Sequence, residues 1–155
     1  MVSFASALDR SMETIKRPPP APLGDYQVRV TKMPDTPEQF TSKDGTEFDR
    51  LTFQCALVAA LDSVDPDELA AFGKVEGTPV RHVFLFNKSD EQKFEATLNR
   101  LKNFLKSMGI DTDSGSLGEK LSETPNCQFG ATIEHRLDPQ DAMVVYAEIG
   151  KTYAL

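Results

Sequence analysis

FDRLTFQCALVAAL, residues 48–61, is the most informative run in this chain. Leu51, Phe53, Cys55 and Leu57 alternate with Arg50, Thr52 and Gln54. Side chains on a strand alternate between two faces, so this pattern predicts a strand with one buried and one wet face. A wet face implies antiparallel neighbours rather than a doubly wound parallel sheet. Upstream, Tyr26, Val28 and Val30 alternate with Gln27, Arg29 and Thr31 as a first half-buried strand, opened by Leu23-Gly24 and stopped by Met33-Pro34. Residues 34–47, PDTPEQFTSKDGTE, read as a long turn-rich connection with Asp44-Gly45 as its tightest turn.

Downstream, Asp65 to Phe72 reads as a short helix with an acidic first turn, a proline at its start and Gly73 at its end. Val80 to Phe86 is a third strand. Both its faces, Val80/His82/Phe84/Phe86 and Arg81/Val83/Leu85, are largely apolar, so it lies centrally or turns one face to a partner. Ser89 with Gln92 makes a capping box for a helix over about 90–108. Phe94, Leu98, Leu101, Leu105 and Met108 form its apolar stripe, and Lys93, Arg100, Lys102 and Lys106 its wet side. Residues 111–126 read as loop with a short helical turn at 117–121. Phe129, Ala131 and Ile133 mark a fourth strand. It pairs as a hairpin, through the turn at Asp138–Asp141, with a fifth from Met143 to Ile149.

At 155 residues the chain fits one domain with an arm. Phe4, Leu8, Met12 and Ile15 recur at helical spacing, and KRPPPAP, residues 16–22, is a stiff spacer. The division expected is therefore 1–22 as N-terminal arm and proline-rich spacer, and 23–155 as the folded domain. The longest apolar run, Ala56–Leu61, is far short of the ~20 residues that cross a bilayer. The N-terminus has no signal-peptide core, so a cytoplasmic protein with no membrane partner is expected.

Recognisable reaction chemistry is missing from the sequence. It holds no glycine-rich phosphate loop, no GxSxG elbow and no HExxH helix. Cys55, His82, Cys127 and His135 are scattered singly, whereas zinc ligands come in close pairs. Asp62, Asp65, Asp67 and Glu68 are most simply a solvated helix start. The expectation is a non-enzyme without metal or cofactor. The net charge is -7, but it is unevenly placed. Residues 79–108 carry six lysines and arginines against three acids, between acidic flanks.

Five strands with a long helix between the third and fourth follow the order of an OB-fold barrel. The fold expected is thus mostly β with α: a five-stranded antiparallel OB-fold-like barrel preceded by an arm. Such barrels bind single-stranded nucleic acid on strands two and three, with aromatics under bases and cations along phosphates. The residues of those types in the matching places are Arg29, Phe40, Lys43, Phe48, Arg50, Arg81, Lys88, Arg136 and Tyr146.

PLGDYQVRVTKMP, TSKDGTEFDRLTFQCALV, KFEATLNRLKNFLKSMGID and CQFGATIEHRLDPQDAMVVYAEI, taken in that order, resemble phage-encoded single-stranded DNA-binding proteins. The likeness is one of layout and turn phrases over about residues 23–150: a G-x-Y first strand, a K-x-G turn, a helix ending in GI and a final hairpin. It implies a protein that coats single-stranded DNA in phage replication or recombination, inside an infected bacterium. Replication or recombination proteins are then its partners. The chain departs from many such proteins in ending EIGKTYAL rather than in an acidic tail. The competing expectation is a phage assembly or interaction protein, either a virion component or an inhibitor of a host nucleic-acid enzyme. It would bind protein rather than DNA, with the arm locking neighbouring copies into a homo-oligomer.

Overall fold

The structure is a computed structural model that describes residues 3–15, 19–141 and 143–155. It is mostly β: an open antiparallel sheet of six strands with a few helices. The strands are β1 (Gly24–Val30), β2 (Glu38–Thr41), β3 (Glu47–Ala60), β4 (Pro79–Asn87), β5 (Gln128–Leu137) and β6 (Val145–Tyr153). The helices are α1 (Phe4–Ala7), α2 (Pro66–Phe72), α3 (Glu91–Ser107) and α4 (Leu117–Ser122). Among the described residues no helix is long and apolar enough to cross a membrane.

The long strand β3 organises the sheet. Its first residues, 47–50, pair with β2, and its last, 55–60, pair with β1. Residues 48–56 pair with β4 along the opposite edge. β1 in turn pairs with β5, and β5 with β6. β4 and β6 approach each other without a backbone ladder among the described residues, leaving a seam. Helix α3 packs against both of these strands.

The predicted alternation holds residue by residue. Leu51, Phe53, Cys55 and Leu57 are buried, as are Tyr26, Val28 and Val30 on β1 and Phe129, Ala131 and Ile133 on β5. The α3 stripe supplies Leu101, Phe104 and Leu105 to the same core, with Phe94 and Leu98 partly buried beside them. Phe104 is the hub of an aromatic cluster: Phe53, His82 and Phe129 meet its ring edge-on at centroid distances of 5.1, 4.8 and 4.8 Å. Edge-to-face contacts of this kind are favoured by the ring quadrupoles. Two glycines admit close approaches: Gly24, with φ 131°, lies against the backbone of Val64, and Gly130 lies beneath the Tyr153 ring.

Several expectations need correction. The segment 34–47 is not all loop, because EQFT forms β2 and turns back on β3 through Ser42–Thr46. Four residues are too few to display a period, and the pairing is set by the free edge of β3. The cap of α3 is Asp90, whose carboxylate accepts from the Lys93 N–H at 3.2 Å. Ser89 instead accepts from the Glu47 N–H, so the Ser89–Gln92 capping box does not form. β6 starts at Val145 and runs on to Tyr153 rather than ending at Ile149. A register shift opposite Ala131–Ile133 absorbs Gly150, which lies against the Glu134 carboxylate. The arm forms one helical turn and then a 3-10 turn at Met12–Thr14, with Phe4, Leu8, Met12 and Ile15 exposed. Lys16, Arg17 and Pro18 of the spacer lie outside the described residues.

Two stability predictions follow from this core. Leu101 is fully buried, so Leu101→Ala should destabilise the protein by ~2–5 kcal/mol in urea denaturation. An unchanged midpoint would contradict the placement of α3. His82 is buried, and burial, with a smaller contribution from Arg100, pushes its pKa from 6.5 down to about 4. Between those values the unfolded chain binds a proton that the folded chain does not. The contribution of His82 to stability should therefore fall as pH drops from 6.5 towards 4, by at most about 1.4 kcal/mol per pH unit. His82→Leu should flatten the measured stability–pH curve in that window.

Candidate nucleic-acid interface

The outward face of β3 carries Arg50, Thr52 and Gln54. Beside it, β4 turns Arg81, Val83 and Leu85 outward. Leu85 is 44% exposed, so the apolar outer face of β4 is not core. Two walls rise over this floor. One is the β2–β3 hairpin with the preceding segment at Asp35 and Thr36, and the other is the β5–β6 hairpin with Arg136 and Glu148. Together they enclose an open cleft of about 570 Å³.

The two walls are built alike. On the first, Phe40 sits directly across from Phe48 and the rings stack at 5.2 Å and 13°. Glu38 sits across from Arg50, and the two form an ion pair at 2.5 Å. The Arg50 guanidinium also lies 5.2 Å from the Phe40 ring centre. On the second wall Arg136 sits across from Tyr146 with its guanidinium 5.2 Å from that ring centre. Arg136 donates to the Glu148 carboxylate at 3.0 Å. Each hairpin thus presents an arginine held by one aromatic ring and one carboxylate. The cause is cross-strand geometry, in which directly opposed and diagonal side chains on one face touch.

The turns of both hairpins are fastened by carboxylates. Asp44 accepts from the Ser42 hydroxyl and from the Thr46 N–H, and these bonds draw its pKa down to about 2. Asp138 accepts from the Gln140 N–H at 2.8 Å and the Tyr146 hydroxyl at 2.9 Å, and its pKa is also lowered. The Tyr146 ring is therefore oriented from one end while Arg136 covers its face.

Of the residues singled out from the sequence, Phe40, Arg50, Arg81 and Arg136 line the cleft. Phe48 and Tyr146 support them as stacking partners. Lys43 is exposed at the tip of the first hairpin. Two others lie elsewhere. Arg29 is on the outward side of β1, across from Ala56, and donates to Asn126 Oδ1 at 3.2 Å. Lys88 follows β4 and pairs with Asp49 at 3.5 Å; Asp49 is on the opposite side of β3 from Phe48 and Arg50, since neighbours alternate. The sequence reading missed Thr52, Gln54, Val83 and Leu85 as the floor, although their alternation with core residues carried the signal. It also missed Glu38 and Glu148 as the partners of the arginines, for which only a known strand register gives a signal.

Arginines and carboxylates balance in the lining, with Arg50, Arg81 and Arg136 against Asp35, Glu38 and Glu148. Arg81 has no ion pair or side-chain hydrogen bond among the described residues. The side chains of the Arg50–Glu38 pair are 42% and 70% exposed, and those of Arg136–Glu148 are 50% and 44% exposed. Exposed pairs are worth about 0–1 kcal/mol, so a competing anion can displace them.

The groups weighed for metal binding or nucleophilic chemistry are differently placed. Cys55 is buried, and burial pushes its thiol up to about 12. His82 faces the core aromatics. Cys127 donates to the Glu123 carbonyl at 3.2 Å, and His135 Nε2 lies 2.7 Å from the Ala21 carbonyl. No protein-family model and no curated protein matches this chain.

Because both hairpin ion pairs are exposed, Arg50→Ala and Arg136→Ala should each change stability by less than about 1 kcal/mol in urea denaturation. A loss of several kcal/mol would show that these arginines hold the hairpins in place instead of standing ready for a ligand.

Proposed function

We propose that this protein binds single-stranded DNA, without catalysis and with little regard to sequence, in the cleft between its two hairpins. The carrying observation is the paired arrangement of Arg50 over Phe40 and Arg136 over Tyr146 on either side of a cleft whose floor mixes Thr52, Gln54 and Arg81 with Val83 and Leu85. Single-strand binders need ring faces for bases and cations along the backbone, held in a groove. Phosphates would draw Arg50 and Arg136 from their exposed carboxylates, and Arg81 has no ion pair among the described residues. Bases would stack against Phe40 and Phe48 and lie on Val83 and Leu85.

The strand pairings support an OB-type reading of the sheet. β1–β3, β3–β4, β1–β5 and β5–β6 are antiparallel neighbours, as strands one to five of such a barrel require, with β2 prolonging the first strand past a loop. In that fold the ligand lies on strands two and three between the first and last hairpin loops, which is where this cleft lies. The resemblance in sequence layout to phage single-stranded DNA-binding proteins supports phage replication or recombination as the proposed setting.

The exposed apolar arm, with Phe4 81% and Met12 80% exposed, favours a second reading in which the protein binds other proteins or its own copies. Light scattering discriminates: a strict oligomer without oligonucleotide affinity would replace the first reading with this one.

Fluorescence anisotropy with labelled poly-dT at low and moderate salt tests the proposal. Binding should weaken steeply with salt. Phe48→Ala should cost roughly 1–3 kcal/mol of binding, as stacking residues do. Arg81→Ala should weaken binding and flatten the log–log salt slope by about 0.7, the loss of one phosphate contact on a single strand. No binding by the unmodified protein in low salt, or an unaltered slope in Arg81→Ala, would overturn it.

A further inference from the structure

Behind β4, on the other side of the seam with β6, lies a second opening of about 310 Å³. It is formed by His82 and Phe84 of β4, Arg100, Asn103 and Phe104 of α3, and the segment of β6 around Lys151. Among the described residues no carboxylate lines it, although the chain as a whole is acidic. Arg100, Asn103 and Lys151 make no ion pair or side-chain hydrogen bond among the described residues. Arg100 is held in place by the Phe84 ring, 5.5 Å from its guanidinium carbon.

The decisive group is His82. It is only 6% exposed, and its ring is wedged between Phe84 and Phe104 at centroid distances of 4.6 and 4.8 Å. Its ring nitrogens have no hydrogen-bond partner among the described residues. The ring as a whole is packed away, but its nitrogens still reach solvent through the groove. A ligand there can therefore bond them in place of water.

We infer that this groove is a nucleotide-binding site, with the His82 ring and the Asn103 amide bonding the polar edge of a base while Arg100 and Lys151 bind its phosphate. Burial keeps the imidazole uncharged at neutral pH, so it offers one donor and one acceptor. The edge of a nucleobase offers the same combination. Two cations without a competing carboxylate suit a phosphate. The choice of a nucleotide over another planar anion rests on the single-strand reading of the cleft. The nucleotide has two sources: a free mononucleotide, or one nucleotide of a bound strand. β4 turns Arg81, Val83 and Leu85 to the cleft and His82 and Phe84 to the groove, so the two openings lie on opposite faces of one strand.

The test uses the full chain with 15N-labelled histidine, observed through the ring nitrogens. Thymidine 5′-monophosphate should shift the His82 signals saturably and leave those of His135 in place. Inorganic phosphate should not reproduce the shift. Arg100→Ala with Lys151→Ala, both at exposed positions, should weaken the mononucleotide at least tenfold while the urea midpoint of the free protein stays put; because the Arg100 charge acts on His82, ligand shifts are read against the variant's own free spectrum. An oligo-dT that also shifts His82 assigns the site to the bound strand, and a shift by the mononucleotide alone assigns it to free nucleotide. Failure of both ligands to move His82, the same shift from phosphate alone, or undiminished affinity in the double variant would overturn the inference. Anisotropy on the same samples separates this from the cleft. Oligonucleotide binding with His82 unmoved leaves the cleft and removes the groove. A mononucleotide response without oligonucleotide binding leaves the groove and removes the cleft.

Discussion

Backbone pairing along both edges of β3 is the constraint on which the remaining architecture depends. One edge of these fourteen residues is shared between β2 and β1, and the other is taken by β4. The inward stripe, Leu51, Phe53, Cys55 and Leu57, fixes which way the strand faces. A shift by one residue would put Arg50, Thr52 and Gln54 into the core, where their polar groups would lose water without gaining partners. With that facing set, the short Ser42–Thr46 turn fixes the β2 register, and Phe40 meets Phe48 and Glu38 meets Arg50 on the outward face. One wall of the cleft therefore follows from the pattern that builds the core together with that turn.

The opposite wall is assembled from residues far away in sequence. β5 is anchored by Phe129, Ala131 and Ile133 beside β1, while its second half leaves the core and becomes exposed. That exposed half, with β6, places Arg136 and Glu148 over the floor formed by β3 and β4. The cleft exists because β5 is long enough to be core at one end and wall at the other. The acidity of the chain also has a local meaning here. Glu38 and Glu148 hold the arginines in position, and their exposure keeps that hold weak.

Much of this was legible in the sequence. The alternations in β1, β3 and β5 and the apolar stripe of α3 are strong because each repeats over several residues and all agree on one core. Leu85 was legible only as part of an apolar face that suited either a central strand or one turned to a partner, and its exposure rules out the core. Features that depend on a single residue or on register were not legible. β2 is four residues long and derives its conformation from pairing. Asp90 caps α3 although Ser89 offers the same chemistry one position earlier, and only the path of the chain out of β4 decides between them. Arg29 and Lys88 were credible cations by type, but Asn126 and Asp49 engage them away from the cleft. Their partners come from other strands and loops, which local spacing does not reveal.

The central claim is that the space between the β2–β3 and β5–β6 hairpins is where a single strand lies. Amide chemical-shift mapping with an oligo-dT tests it most directly, because every backbone position reports at once. The account predicts that the largest perturbations fall at Phe40, Phe48, Arg50 and Gln54, at Arg81 to Leu85, and at Arg136 and Tyr146, from both walls and the floor together. Perturbations confined to α2, α4 or the N-terminal arm, with the two hairpins unmoved, would contradict it.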